Sequence, residues 1–167
     1  GNYCFVTRLL ETLKKYQNLK IVEWLDMFHY PKINNFGISF AKGEYLILLN
    51  NDTEILTPNW IEELLSHCQR PEVGITGSKL YYPDDKIQHA GVIIGLGGIA
   101  GHAFSCQSRK DPGYFARAIV QQDLSAVTAA CFMVSRAIYE EVGGMEEQLQ
   151  VAFNDVDFCL KVRDKGY

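Results

Sequence analysis

The stretch Glu44-Tyr45-Leu46-Ile47-Leu48-Leu49-Asn50-Asn51-Asp52-Thr53-Glu54 decides the fold. Leu46 to Leu49 is apolar on both faces, the pattern of a strand covered by helices on both sides of a sheet. The run ends abruptly in two amides and a carboxylate, so polar groups gather at the strand's C-terminal end. In open α/β sheets ligands bind at that edge. A carboxylate delivered there suits a hard divalent cation, which takes oxygen ligands and often shares them with phosphates. Phosphate and metal chemistry is therefore the leading expectation.

Working outward, Ile33 to Lys42 reads as a helix stopped by Gly43, and Thr57-Pro58 opens another, with a capping residue before a first-turn proline. The buried stripe of that second helix is expected to be Trp60, Ile61, Leu64, Leu65 and Cys68. Upstream, Leu19 to Trp24 reads as a short strand, preceded by an amphipathic helix carrying Phe5, Val6, Leu9, Leu10 and Leu13. Helices alternating with strands over short connections imply a mostly parallel sheet with crossover helices. A crossover helix follows a strand, so at least one strand is expected before Gly1.

The second half has a different texture. Val73 to Tyr82 and Ile87 to Leu96 read as strands joined by Pro83-Asp84-Asp85. The glycine-rich run from Leu96 to Gly101 and the polar run from Ser105 to Tyr114 together read as a long loop, often a functional feature. The glycines lack the spacing and setting of a dinucleotide fingerprint, and a flexible acceptor-side loop is expected. Ala126 to Ser135 reads as a strand, Arg136 to Val142 as a short helix ended by Gly143-Gly144, and Asp155 to Lys165 as a last helix.

The chain has 167 residues, 47% hydrophobic and 22% charged, enough for one domain with a sizeable core. A net charge of −4 argues against broad nucleic-acid or anionic-membrane binding. No apolar run approaches the roughly 20 residues that span a bilayer, and no secretory leader is visible. The cysteines, Cys4, Cys68, Cys106, Cys131 and Cys159, are dispersed and odd in number. They read as free thiols of a reducing compartment.

Five motifs then occur in order: Lys32-Ile33-Asn34-Asn35-Phe36-Gly37, Ala41-Lys42-Gly43-Glu44-Tyr45, Leu48 to Glu54, Pro58-Asn59-Trp60 and Phe153 to Leu160. Together they resemble the inverting nucleotide-sugar glycosyltransferases of family 2 type with the GT-A fold. The likeness is to the branch that builds O-antigen and other surface polysaccharides. Ile87-Gln88-His89-Ala90-Gly91-Val92 and Ser125 to Ala130 resemble the same branch. The likeness runs from about Lys20 to Tyr167. It implies a Rossmann-like α/β three-layer sandwich, with a donor and metal half over about 1–70 and an acceptor half over about 71–167. That family begins with a strand and loop for the nucleotide base, and carries a histidine or acidic position just beyond Tyr167. A single catalytic domain trimmed at both ends is therefore expected, and such a piece need not be active.

The resemblance assigns roles. Asp52 would bind Mg²⁺ or Mn²⁺ bridging the sugar-nucleotide diphosphate, with Asn50 standing where the family usually has a first aspartate and Asn51 beside it. A metal stabilises charge building on the leaving diphosphate; an amide in one position shifts more of the coordination onto the diphosphate. The same residues also suit a turn built on Asx side-chain hydrogen bonds. Asp155, preferred to Asp157, would be the base that takes the acceptor hydroxyl's proton, although both also suit the N-terminus of a helix. Lys32 and Asn35 would contact the nucleotide, with Lys32 as a solvated side chain the competing reading. His89 and His102, flanking the glycine-rich run, suit either acceptor or phosphate contact or an ordinary structural hydrogen bond.

The reaction implied is transfer, with inversion, from a nucleoside-diphosphate sugar of UDP or dTDP type to a saccharide or lipid-linked saccharide. It would take place in the cytoplasm, free or peripheral at the inner membrane face, with no nucleic-acid partner. The alternatives are a sugar-nucleotide nucleotidyltransferase and an inactive nucleotide- or carbohydrate-binding module.

Overall fold

The computed structural model describes residues 15–167. Its elements run α1 (Tyr30–Phe40), β1 (Tyr45–Leu49), α2 (Trp60–Cys68), β2 (Ile75–Gly77), β3 (Leu80–Tyr81), β4 (Ile87–His89), β5 (Val92–Ile94), β6 (Ala100–His102), β7 (Cys131–Ser135), α3 (Arg136–Glu141) and α4 (Asn154–Asp164). The helix expected around Phe5 to Leu13 lies outside the described residues.

The central sheet has the order β1-β7-β2, with β7 antiparallel to both neighbours. This corrects the mostly parallel sheet. β1 and β2 do point the same way, as a crossover through α2 requires, but β7 returns from far along the chain and inserts between them. Alternation then splits the core. Leu46, Leu48, Phe132 and Val134 face Ile138, Tyr139, Phe158 and Val162 of α3 and α4, with Tyr30 and Ile38 of α1 packed alongside. Cys131 and Met133, with Tyr45 and Ile47, face Leu64 and Cys68 of α2. Helices thus cover both faces of the sheet, which is why β1 is apolar on both of its own.

Four local expectations need correction. Residues 19–24 form no strand: Leu19, Ile21 and Val22 are partly exposed and no ladder reaches them among the described residues. Alternating apolar residues make a strand only when a neighbour supplies the N–H and C=O partners. Helix α2 begins at Trp60 after a turn closed by Trp60 N–H to the Thr57 carbonyl, so Thr57-Pro58 precedes the helix and Ile61 faces solvent. Val73 to Tyr82 breaks into β2 and β3, and Ile87 to Leu96 into β4 and β5, where Gly91 takes φ 105°. Finally, the glycine-rich run is a tight hairpin. Gly95 donates to the Ile99 carbonyl at 2.7 Å, and Gly95, Gly97 and Gly98 all adopt positive φ so that β6 can fold back onto β5.

Cys68, Cys131 and Cys159 are buried free thiols, and Cys106 is an exposed one. Among the described residues no helix is long and apolar enough to cross a membrane.

Candidate active site

The C-terminal end of β1, the N-terminus of α4 and the β5–β6 hairpin enclose a cleft of about 430 Å³. Asn50, Asp155, His102, Tyr30, Thr128 and Phe153 line it. The two acidic motifs, a hundred residues apart in sequence, thus meet on one cavity through Asn50 and Asp155.

The spine of the site is the segment 126–130. The Ala126 carbonyl accepts from Val92 N–H at 3.0 Å, which ties in the hairpin. Thr128 N–H donates to His89 Nε2 at 3.3 Å. Ala129 N–H donates to Asp155 Oδ2 at 3.2 Å, and the Ala129 carbonyl accepts from the Tyr30 hydroxyl at 3.0 Å. The Ala130 carbonyl accepts from Asn50 N–H at 2.9 Å, continuing the β1–β7 ladder one step. Five consecutive small or short residues let α1, α4, β4, β5 and the end of β1 approach one backbone.

Asp155 sits half-buried in the first turn of α4. Its Oδ1 accepts from Val156 N–H at 2.9 Å while Oδ2 takes the Ala129 bond. A carboxylate offers about four lone-pair positions, so orientation is fixed while acceptor capacity remains. Asp157 is differently used: it pairs with Lys161 at 3.0 Å, and Lys161 also reaches Glu146 at 3.3 Å. Phe153, just before α4, holds φ 62° and turns the chain sharply at the lip of the cleft. A bulky residue in that region is strained.

Tyr30 is the site residue that sequence reasoning misses. Its hydroxyl also approaches Asn50 Oδ1 at 3.5 Å. Burial, then the charge of Asp155, push its pKa up to about 12, so it stays a neutral donor. The only local hint is an aromatic residue directly before Pro31 at a helix start.

Asn51 and Asp52 occupy an exposed turn after β1, closed by Thr53 N–H to the Asn50 carbonyl at 3.3 Å. Asp52 lies at the same sheet edge without lining the cleft. Among the described residues no three His, Cys, Asp or Glu side chains cluster as a metal cage. This donor set, one free carboxylate beside amides, fits a cation held jointly with a ligand's phosphates better than one held by protein alone. Lys32 is exposed in the first turn of α1, its N–H capped by the His29 ring. Asn35 lies elsewhere. Its Oδ1 accepts from the Tyr139 hydroxyl at 2.6 Å and from Met145 N–H at 3.0 Å, while Nδ2 donates to the Met145 carbonyl at 3.0 Å and Glu147 at 3.1 Å. That amide fastens the turn after α3 to α1.

His89 and His102 share one hydrogen bond, Nδ1 to Nδ1, at 2.8 Å. His89 is fully buried, and burial followed by the neighbouring His102 lowers its pKa to about 3. His102 lies at the exposed end of β6, on the cleft.

A crossover unit thus ends in a polar sheet edge, and a helix-borne carboxylate faces that edge across the cleft. The chain belongs to glycosyl transferase family 2, whose family model matches residues 8–143, and the family implies the GT-A fold. It is 50% identical over 141 residues to the uncharacterized protein y4gI of Sinorhizobium fredii, covering 84% of this chain and 16% of that protein. It is 40% identical over 144 residues to the O-antigen biosynthesis protein RfbC of Myxococcus xanthus, covering 86% of this chain and 11% of that protein. The chain thus spans less than a fifth of the length of these relatives.

Proposed function

We propose that this chain forms the reaction centre of a transferase that moves a sugar, with inversion, from a nucleoside-diphosphate sugar to a saccharide or lipid-linked saccharide acceptor. The setting would be surface-polysaccharide synthesis on the cytoplasmic side of the membrane. The observation that carries this reading is the convergence of Asn50 and Asp155 on one cleft. Family membership and the likeness to an O-antigen biosynthesis protein support it.

In this reading the acceptor hydroxyl attacks the anomeric carbon from the face opposite the diphosphate. Asp155 takes the hydroxyl proton as the new C–O bond forms, and the bond to the diphosphate oxygen breaks with its electron pair leaving on the nucleotide. The Ala129 and Val156 N–H groups hold the carboxylate in place. Asn50, fixed through its backbone to Ala130, forms the donor edge of the cleft. Asp52, with Asn50 and Asn51 beside it, would hold Mg²⁺ or Mn²⁺. When bound, that cation would offset charge on the departing diphosphate as a Lewis acid.

Calorimetric titration of the purified protein with UDP, dTDP and GDP, with and without Mn²⁺, tests the donor side. Binding that requires Mn²⁺ and disappears in Asp52→Ala is the expected result. Proton NMR of the first-formed product should show the anomeric configuration opposite to the donor's. Nucleotide binding indifferent to Mn²⁺ and Asp52 would overturn the metal assignment. Release of pyrophosphate from a nucleoside triphosphate would identify a nucleotidyltransferase instead.

A further inference from the structure

The histidine pair is the feature that the proposed transfer leaves unused, and its geometry is directional. His89 Nε2 faces two backbone donors, Gly91 N–H and Thr128 N–H, each at 3.3 Å. Two N–H groups aimed at one ring nitrogen require a lone pair there, so the proton of neutral His89 sits on Nδ1. Buried as it is, His89 stays neutral at ordinary pH. Its Nδ1–H therefore donates to His102 Nδ1 across the 2.8 Å contact. His102 Nδ1 must accept, which leaves the His102 proton on Nε2. The rings stand nearly perpendicular, at 86°, and the outer ring belongs to the cleft wall that also holds Asp155. A buried histidine, itself fixed by two main-chain donors, thus sets which nitrogen of an exposed one carries hydrogen.

We propose that His102 donates this Nε2–H to the acceptor hydroxyl that Asp155 deprotonates, and that His89 is the positioning residue that fixes the donor tautomer. A hydroxyl is both donor and acceptor. A carboxylate on one side and a neutral N–H on the other recognise it in a single orientation, with its lone pair left for the anomeric carbon. Val92, Ala100 and Phe153 supply apolar walls of the kind that a sugar ring's C–H faces pack against. The ligand class is accordingly a saccharide hydroxyl, and the role rests on the transferase reading above.

Two measurements decide it. Long-range ¹⁵N–¹H spectra of the purified protein's imidazoles should show His89 protonated at Nδ1 and His102 at Nε2; His102 protonated at Nδ1 would overturn the relay. In His89→Ala the His102 ring should lose its fixed tautomer, and if that variant does not fold, the wild-type spectrum still decides. In transfer assays, His102→Ala should lower kcat/KM for the acceptor about tenfold to a hundredfold, the range for one lost hydrogen bond to a polar ligand. His102→Gln, which keeps an N–H donor, should recover much of that loss. Donor-nucleotide Kd should stay within about twofold in both. Wild-type transfer untouched by His102→Ala, or a loss confined to nucleotide binding, overturns this role alone. A wild type with no sugar transfer overturns the transferase reading and this role with it.

Discussion

Asp155 and Asn35 mark two different fates for a polar side chain in this chain. Asp155 keeps lone pairs open on a cleft, whereas all of Asn35's amide positions are consumed by Tyr139, Met145 and Glu147. Asp155→Asn preserves shape and removes the base. Transfer should fall by about 10²- to 10⁴-fold, the contribution of a positioned general base, while nucleotide affinity stays unchanged. A loss of affinity without loss of turnover would sink the assignment. Asn35→Ala leaves the hydroxyl of buried Tyr139 and the Met145 N–H without a partner, and should cost about 1–3 kcal/mol in urea denaturation. Nucleotide titration should not register it. The position of Asp155 at the start of α4 was legible because a carboxylate opening a helical apolar pattern is a local signal. Asn35's partners were not, since Met145 is 110 positions away and no local pattern encodes it.

The elements repeat that division. β1 and α4 could be read along the chain because each rests on its own periodicity and its own stop. The direction of β7 could not: Cys131 to Ser135 is an apolar run that serves a parallel or an antiparallel neighbour equally well, and only its partners decide. The same holds for β2, three residues whose last, Gly77, sits opposite Phe132. A Cβ there would come within 2.6 Å of Val127 Cβ. Gly77→Ala should therefore push the segment 126–130 away from the sheet. About 1–3 kcal/mol of destabilisation is expected from overpacking, seen as a lower urea midpoint at unchanged m-value. Because the Ala129 N–H that steadies Asp155 lies on that segment, kcat should fall as well. An unshifted midpoint would mean that Val127 yields freely and that the segment is not held by β2.

At the scale of the whole molecule, the histidine pair couples the site to folding. The pKa of His89 lies at about 3 against an ordinary 6.5, through burial and then His102. Below 6.5 the unfolded chain takes up a proton that the folded chain refuses, so stability is fully present above that value and is lost as pH falls towards 3. The best-placed competing carboxylates act lower. Glu146, held down by the Gln148 N–H and then by Lys161, and Asp84, held down by Lys86, start from ordinary values of 4.5 and 3.8. Between pH 7 and pH 5 these carboxylates contribute little, and the difference in urea midpoints between the wild type and a His89 variant separates this histidine from the other three. The wild type should lose stability over that interval, on the order of 1 kcal/mol or more, since a tenfold difference in proton affinity between the folded and unfolded chains corresponds to about 1.4 kcal/mol. His89→Gln offers Oε1 to the Gly91 and Thr128 N–H groups but does not titrate, so its loss over the same interval should be clearly smaller. Parallel slopes in the two proteins would show that the buried ring accepts its proton without unfolding, and the neutral, Nδ1-protonated His89 on which the cleft geometry depends would have to be abandoned.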